Sequence, residues 1–569
     1  MTKKRTLFVF LILTVCFLQA SFAQIQVVSS WQTSADQSKR FQKQDAVNIN
    51  NGEGNNNTKI RINETVTYQT IDGFGWCMTQ GSAYWLKQLT QANRTNILKE
   101  LFSLENNDKY AGSASLRIPL GASDLSATPY TYQDDKNKPF SLAGPDLDDL
   151  IPILKEVIAI NPNIKIMASP WTAPRWMKNN DHFIGGKLKT DCYGLYADYF
   201  LNYFKAMKEQ GINIYAVTIQ NEPLHDGNNP SMYMTKEEQY DFVQNHLGPK
   251  MAASEFKNIK IIGYDHNCDN TSYPIHVAGS QYVDGSAFHL YGGTIDALTT
   301  VYNATKKNIY FTEQWTGGNA DFADDFKYHI ENVQIGSVRN YAKTAYAWNV
   351  ASDQNWNPHT NNGGCDLCKG ALTINSSTKA ITYQPTFYTA AQMSKVARPG
   401  AQRIKSTVSN DGDLWEVAFH NPVDNTTSLV VYNKGGGRKT FDVVLLNGKS
   451  FAYSLDGNTV ASLIWSNGEI DNGGNGNNQQ WLFDNAGSEN QIRLYPNPAS
   501  GMIYMEGLKT TDRYLYKIIG LNGRVLQTAC LEKGTNIIDT SSLQPAYYII
   551  QLNNLATAEI ALLNFIKIR

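Results

Sequence analysis

The sequence predicts an α/β chain built on a (β/α)8 barrel, with an attached β-sandwich and a separate small all-β domain towards its C-terminal end. Three observations lead there. Between residues 71 and 348, eight short apolar, β-branched segments recur, with helical periods or long loops between them. From about Arg398 the texture changes to short alternating strands separated by Asn/Gly turns. A glycine- and asparagine-rich stretch, Asn467 to Asn478, then precedes a further β-rich segment. At 569 residues the chain is too long for one core, so several domains are expected.

Residues 1–23 read as an export signal: Lys3, Lys4 and Arg5, an apolar run from Leu7 to Leu18, and the small-x-small pattern Ser21-Phe22-Ala23. That run is short for a transmembrane helix and no later one is long enough, so no transmembrane anchor is expected. Residues 24–67 are polar with strand-like islands, and are expected to lend strands to the sandwich. The barrel is placed at 68–397, with strands over 71–76, 115–120, 164–169, 214–220, 259–264, 286–291, 309–313 and 344–348. A helical run covers 82 to about 104, and the clearest helical periods are 147–160 and 193–210. An open doubly wound sheet is the alternative, but no GxGxxG or GxxxxGK loop is present. The sandwich is placed at 398–466, a linker at 467–487 and the last domain at 488–569.

Fifty basic residues against 51 acidic ones give a net charge of -1, which argues against nucleic acid or an anionic membrane as partner. The 65 aromatic side chains (11 Trp, 31 Tyr, 23 Phe) fill a large core, and they also suit a protein that stacks on flat apolar faces such as sugar rings. Of seven cysteines, Cys16 falls in the export signal. Cys365-Asp366-Leu367-Cys368 follows Asn361-Asn362-Gly363-Gly364 and reads as a loop closed by a small disulfide. A zinc site would need two more ligands at matching spacing, and no second Cys-x-x-Cys or His-x-x-x-His appears. No metal or other cofactor is indicated.

The chemistry starts at Ile214 to His225, where a strand runs into Gln220-Asn221-Glu222-Pro223. Pro223 cannot donate to a ladder and biases Glu222 away from helix, so the strand stops there and presents a carboxylate at its carboxyl end. In a parallel barrel that end carries the chemistry. Glycoside cleavage needs an acid on one side of the bond and a carboxylate on the other. The strand at 309–313 delivers the second, Glu313, followed by Trp315. These are strands four and seven, facing each other across the barrel mouth. One glutamate at a strand end is more often a salt-bridged or solvated group; two in an aromatic-rich barrel point to a glycosidase.

Asp72-Gly73-Phe74-Gly75, Leu116-Arg117-Ile118-Pro119-Leu120-Gly121-Ala122-Ser123-Asp124, Ala168-Ser169-Pro170-Trp171-Thr172-Ala173-Pro174-Arg175-Trp176-Met177-Lys178, Thr218-Ile219-Gln220-Asn221-Glu222-Pro223 and Tyr383-Gln384-Pro385-Thr386-Phe387-Tyr388 resemble glycoside hydrolase family 30. The resemblance spans about residues 60–465 and takes in glucosylceramidases and β-1,6-glucanases. It implies a retaining enzyme with Glu313 as nucleophile and Glu222 as general acid/base, their carboxyls about 5–5.5 Å apart. Asn221 then bonds the sugar 2-hydroxyl, with capping of the turn before Pro223 as its plainer role. Arg117, Asp124, Trp171, His289, Tyr291 and Trp348 match positions that line the sugar pocket. Arg117 lies in a strand and needs a carboxylate partner there, with Glu313 at hand. His289 and Tyr291 alternate on strand six and point the same way; a hydrogen-bonded supporting role is preferred for the histidine.

The chain departs from the glucosylceramidase pattern at Phe74-Gly75-Trp76-Cys77-Met78-Thr79-Gln80, where an amide stands in place of a carboxylate. That puts close substrate equivalence in question, and the Gly363–Cys368 loop is similar to the β-1,6-glucanase branch instead. A secreted endo-β-1,6-glucanase is therefore the expected function. A glucosylceramidase-like β-glucosidase is one alternative, and a non-catalytic carbohydrate-binding surface protein another. Leu494-Tyr495-Pro496-Asn497-Pro498-Ala499-Ser500-Gly501, Gly520-Leu521-Asn522-Gly523-Arg524-Val525 and the terminal Phe565-Ile566-Lys567-Ile568-Arg569 resemble the C-terminal sorting domain of the type nine secretion system. That implies the secretion machinery as a partner and an extracellular or outer-membrane-surface location. An ordinary accessory β-sandwich is the plainer reading of the same segment.

Overall fold

The structure, a computed structural model, describes residues 26–467 throughout and most of 493–567. The expected export signal, nearly all of the expected linker, and Pro496 to Pro498 of the YPNP turn lie outside the described residues. The chain divides into two compact units, Met1–Gly474 and Asn475–Arg569.

In the first unit, eight parallel strands close into a barrel. They are Gly73–Cys77, Ser115–Leu120, Lys165–Pro170, Ala216–Thr218, Lys260–Cys268, Val283–Gly293, Asn308–Glu313 and Ala342–Ala347. Each pairs with the next in sequence, and the eighth returns to the first through Thr344–Gly73 and Ala347–Trp76. Strands enclosed on both faces read as near-continuous apolar runs, and Ser115–Leu120 is buried at every position.

Three local differences from the sequence reading have physical causes. The helical run at 82–104 is two helices, Gln80–Lys87 and Gln91–Phe102, because Thr90 leaves helical geometry and caps the second through its side chain. The fourth strand keeps regular pairing only over Ala216–Thr218. The backbone N–H of Asn221 turns to Pro170 O at 2.8 Å and that of Glu222 to Asp265 O at 2.9 Å. Glu222 itself takes φ 47°, in the left-handed region that non-glycine residues rarely occupy. The fifth strand runs past Tyr264 to Cys268 through a bulge: its register against the sixth goes from Ala287–Tyr264 to Phe288–His266, with Asp265 left over.

A ten-stranded sheet joins Val27–Ser34, Gln42–Asn48, Asn50–Asn51 and Lys59–Thr70 to the six strands between Gln402 and Ser466. The strand Thr426–Asn433 is buried at every position, and its alternation shows why. Leu429 and Val431 enter the sandwich core with Ile60, Phe441, Val443 and Trp465. Val430 and Tyr432 join the barrel's core. The wholly buried helix Pro385–Ser394 lies against both, with Gln392 Nε2 donating to Thr33 Oγ1 at 2.9 Å and accepting from Ser462 Oγ on its backbone oxygen at 2.5 Å. Barrel and sandwich therefore share one apolar seam.

The second unit has its own core, including Ile503, Tyr516, Ile550 and Phe565. It forms a sheet of Met502–Glu506 with two short strands, and a four-stranded antiparallel sheet over Tyr514–Gly520, Val525–Leu531, Ala546–Asn554 and Ile560–Lys567. Among the described residues no helix is long and apolar enough to cross a membrane.

Candidate active site

A cavity of about 400 Å³ opens at the carboxyl ends of the barrel strands. Glu222 and Glu313 both line it, with Asp124, Tyr291 and Trp348 from the sequence-predicted set. Arg117, Trp171, Asn221 and His289 stand behind that wall, all buried. The structure thus brings all nine predicted residues to one place.

Arg117 is the hub. Wholly buried on the second strand, it donates from Nη1 to Glu313 Oε2 at 2.6 Å. From Nη2 it donates to Asn221 Oδ1 at 2.6 Å, Asp265 Oδ2 at 2.9 Å and Ser169 Oγ at 3.2 Å. Its guanidinium also stacks 4.9 Å from the Trp171 ring, and the Trp171 and Trp348 rings stack on one another at 5.4 Å. Burial alone would weaken its hold on the proton, but the Asp265 and Glu313 carboxylates outweigh that and raise it.

Glu313 also accepts from the Tyr291 hydroxyl at 2.9 Å on Oε1, so both its oxygens are held. Burial and the Glu313 carboxylate push the Tyr291 phenol well above its ordinary range, which keeps it a donor. Glu222 accepts from Asn228 Nδ2 at 3.1 Å on Oε2, and its Oε1 faces His289 Nδ1 at 3.2 Å and His266 Nδ1 at 3.7 Å. Burial opposes charge on Glu222, yet these two histidines pull its carboxyl below the usual range. Asn221, having turned Oδ1 to Arg117, leaves its Nδ2 hydrogens without a partner among the described residues.

The upper wall is built to receive polar groups. Burial, then the charges of Glu313 and Glu222, push the Asp124 carboxyl well above the carboxylate range. Its Oδ1 and the Trp171 Nε1 are buried without hydrogen-bond partners among the described residues. Such groups are costly unless something supplies the missing bond. The Cys365–Cys368 disulfide closes this side of the cavity. Its loop is tied to the neighbouring loops by Gly318 N to Leu367 O at 2.6 Å, Asn229 N to Gly363 O at 3.1 Å and Thr360 N to Asp124 O at 2.9 Å. Gly363 has φ 117°, and a Cβ there would lie 2.4 Å from Gly227 O, so only glycine fits.

Gln80 lies away from the cavity. Its Nε2 donates to Asp149 Oδ2 at 2.7 Å and its Oε1 accepts from Ala127 N at 3.3 Å, supporting the Asp124 loop from behind. The amide at 80 is therefore not itself part of the cavity wall and acts on it through the loop that carries Asp124. Asp265 and His266, which sequence reasoning missed, sit at the centre of the site. Their one signal was their place just beyond a predicted barrel strand, where the bulge hides the alternation.

The family model for the glycosyl hydrolase family 30 TIM-barrel domain matches residues 71–397, over half of the chain, and that for the family 30 beta sandwich domain matches 400–463. The chain belongs to glycosyl hydrolase family 30. It is a glycoside hydrolase, and residues 493–562 match the secretion system C-terminal sorting domain. This family 30 hydrolase is 32% identical over 428 residues to an endo-1,6-beta-D-glucanase of Aspergillus fumigatus, covering 70% of this chain and 85% of that one. It is 27% identical over 404 residues to the mouse lysosomal acid glucosylceramidase, covering 64% and 75%. A solved endo-beta1,6-glucanase structure superposes with a TM-score of 0.72 at 36% identity, covering 77% of this chain and 99% of that one.

Proposed function

We propose that the chain is a secreted endo-β-1,6-glucanase that cleaves by double displacement, with Glu313 as nucleophile and Glu222 as general acid/base. The observation that carries the reading is the buried carboxylate pair across the barrel mouth, in a chain whose 32%-identical relative is an endo-1,6-beta-D-glucanase. Glu313 is pinned by Arg117 and Tyr291, so its oxygens are oriented for attack rather than free to rotate. His289 Nδ1 lies 3.2 Å from Glu222 Oε1 and 3.8 Å from Glu313 Oε1, which places those oxygens within about 7 Å of one another. That bound accommodates the ~5–5.5 Å of a retaining pair.

In the first step Glu313 attacks the anomeric carbon while the leaving oxygen takes a proton at Glu222. In the second a water, deprotonated at Glu222, releases the sugar from Glu313. Asn221 Nδ2 is the donor for the 2-hydroxyl, and Asp124 and Trp171 Nε1 supply partners for further hydroxyls over the Trp348 face. The export signal together with the sorting domain would carry the enzyme to the extracellular side. Glucosylceramide hydrolysis is the second reading, favoured by the mouse relative.

Comparing kcat/KM on a β-1,6-glucan and on glucosylceramide decides between the two; the glucan is expected to be the better substrate by at least about 10²-fold, a difference of ~2.7 kcal/mol in transition-state binding. Glu313→Gln is expected to lower kcat by about 10⁴-fold or more while leaving KM near the parent value. Near-normal turnover in that variant would remove Glu313 from its role.

A further inference from the structure

The mechanism above assigns no part to Asp265, although it is the most heavily bonded carboxylate in the site. Wholly buried, it accepts on Oδ2 from Arg117 Nη2 at 2.9 Å, Ser169 Oγ at 2.7 Å and Thr218 Oγ1 at 2.7 Å, and on Oδ1 from Thr312 Oγ1 at 2.6 Å. Its backbone has φ 71° and that of Tyr264 has φ 73°. Two successive non-glycine residues in the left-handed region are strained, and strain of this kind persists only where the surroundings over-determine it. Here the bulge takes Asp265 out of register and lets Oδ1 reach His289 Nε2 at 3.1 Å.

With an acceptor-only carboxylate against Nε2, that nitrogen carries the hydrogen and Nδ1 is left to face Glu222 Oε1 at 3.2 Å. Either Nδ1–H donates to a Glu222 carboxylate, or a protonated Glu222 donates to the Nδ1 lone pair. In both cases one proton occupies the line between them. We propose that Asp265, His289 and Glu222 form a proton relay, in which the acid/base proton is shared between Glu222 Oε1 and His289 Nδ1 and Asp265 fixes the ring that stores it. The relay rests on the reading of Glu222 as the acid/base.

The proton count balances over a turnover. When the C1–O bond breaks, the leaving oxygen takes the shared proton and Glu222 is left a carboxylate beside a neutral His289. When water attacks C1 and the bond to Glu313 breaks, the water's proton refills the pair. The other groups around His289 set how firmly the pair holds it. Glu313 Oε1 lies 3.8 Å from Nδ1, the Tyr291 and His266 rings pack edge-on at 6.0 and 6.4 Å, Cys268 Sγ donates to its backbone oxygen, and Arg117 sits across Asp265. Burial disfavours charge on His289, but Glu313, Asp265 and Glu222 outweigh it and hold its proton up to about 9. The lowered carboxyl of Glu222 is the other face of the same shared proton.

The test measures kcat/KM against pH for the full-length chain and its Asp265→Asn variant. The substrates are a β-1,6-glucan and 2,4-dinitrophenyl β-gentiobioside, whose leaving group departs without a proton. Removing the charge of Asp265 loosens the proton, so the basic limb on the glucan is expected to move down by about one pH unit or more. The glucan kcat/KM at pH 7 is expected to fall about tenfold or more, and that of the activated glycoside less than about threefold. A limb that stays in place while both substrates lose equally overturns the relay and leaves Asp265 a structural role. His289→Gln, whose amide cannot store the proton, serves where Asp265→Asn fails to fold, with the same limb shift expected and an unshifted limb again overturning the relay. Glu222→Ala separates the two levels. If it keeps full activity on the glucan, the acid/base reading falls and the relay with it. If it loses that activity while both other variants keep the parent limb, the relay alone falls.

Discussion

Arg117 holds three other parts of the site in place: the Glu313 carboxylate, the Asn221 amide and Asp265. A guanidinium suits this because its planar fork offers several donors at fixed angles, whereas an ammonium is a point charge. Buried with no exposure, it cannot be removed without leaving two carboxylates facing one another in a low dielectric. Arg117→Ala is therefore expected to cost about 3–5 kcal/mol, read as a lower urea midpoint. Arg117→Lys keeps a charge but not the fork, and is expected to retain most of that stability while losing about 10²-fold in kcat/KM through misplaced Glu313 and Asn221. An Arg117→Ala protein as stable as the parent would mean that the hub holds nothing together.

At the scale of elements, the site is assembled by strand ends and the loops that brace them. The Cys365–Cys368 loop borders the cavity and is tied to the loops after the fourth and seventh strands. A bridge across a separation of 3 residues limits the unfolded chain only a little, so Cys365→Ser with Cys368→Ser is expected to cost about 2 kcal/mol. The larger effect should fall on binding: a severalfold rise in KM for glucan with kcat nearly unchanged, measured from steady-state rates. A fall in kcat with KM unchanged would place the loop's influence on the chemistry instead.

The same scale explains what could be read in advance. Glu222 and Glu313 were legible because each ends an apolar run, and a parallel barrel puts such ends at its mouth. Asp265 and His266 were not. The fifth strand's pattern was read as stopping at Tyr264, and the bulge breaks the period-two alternation that would have assigned Asp265 to the inside. The bonding of Gln80 was not legible either: the helical run was read as starting at residue 82, and only packing shows that the amide turns to Asp149 and Ala127.

Across the whole molecule, function and transport occupy separate units with separate cores. In the first, barrel and sandwich share one apolar seam, and the alternation within Thr426–Asn433 serves both sides of it. That seam secures the barrel on which the two glutamates face each other, the pair proposed to cleave a β-1,6-glucan with retention. The most direct measurement is the anomeric proton spectrum of the new reducing ends in the first minutes of β-1,6-glucan hydrolysis, before mutarotation. Double displacement predicts the β-anomer first, with the α-anomer growing in later. Initial formation of the α-anomer would contradict it.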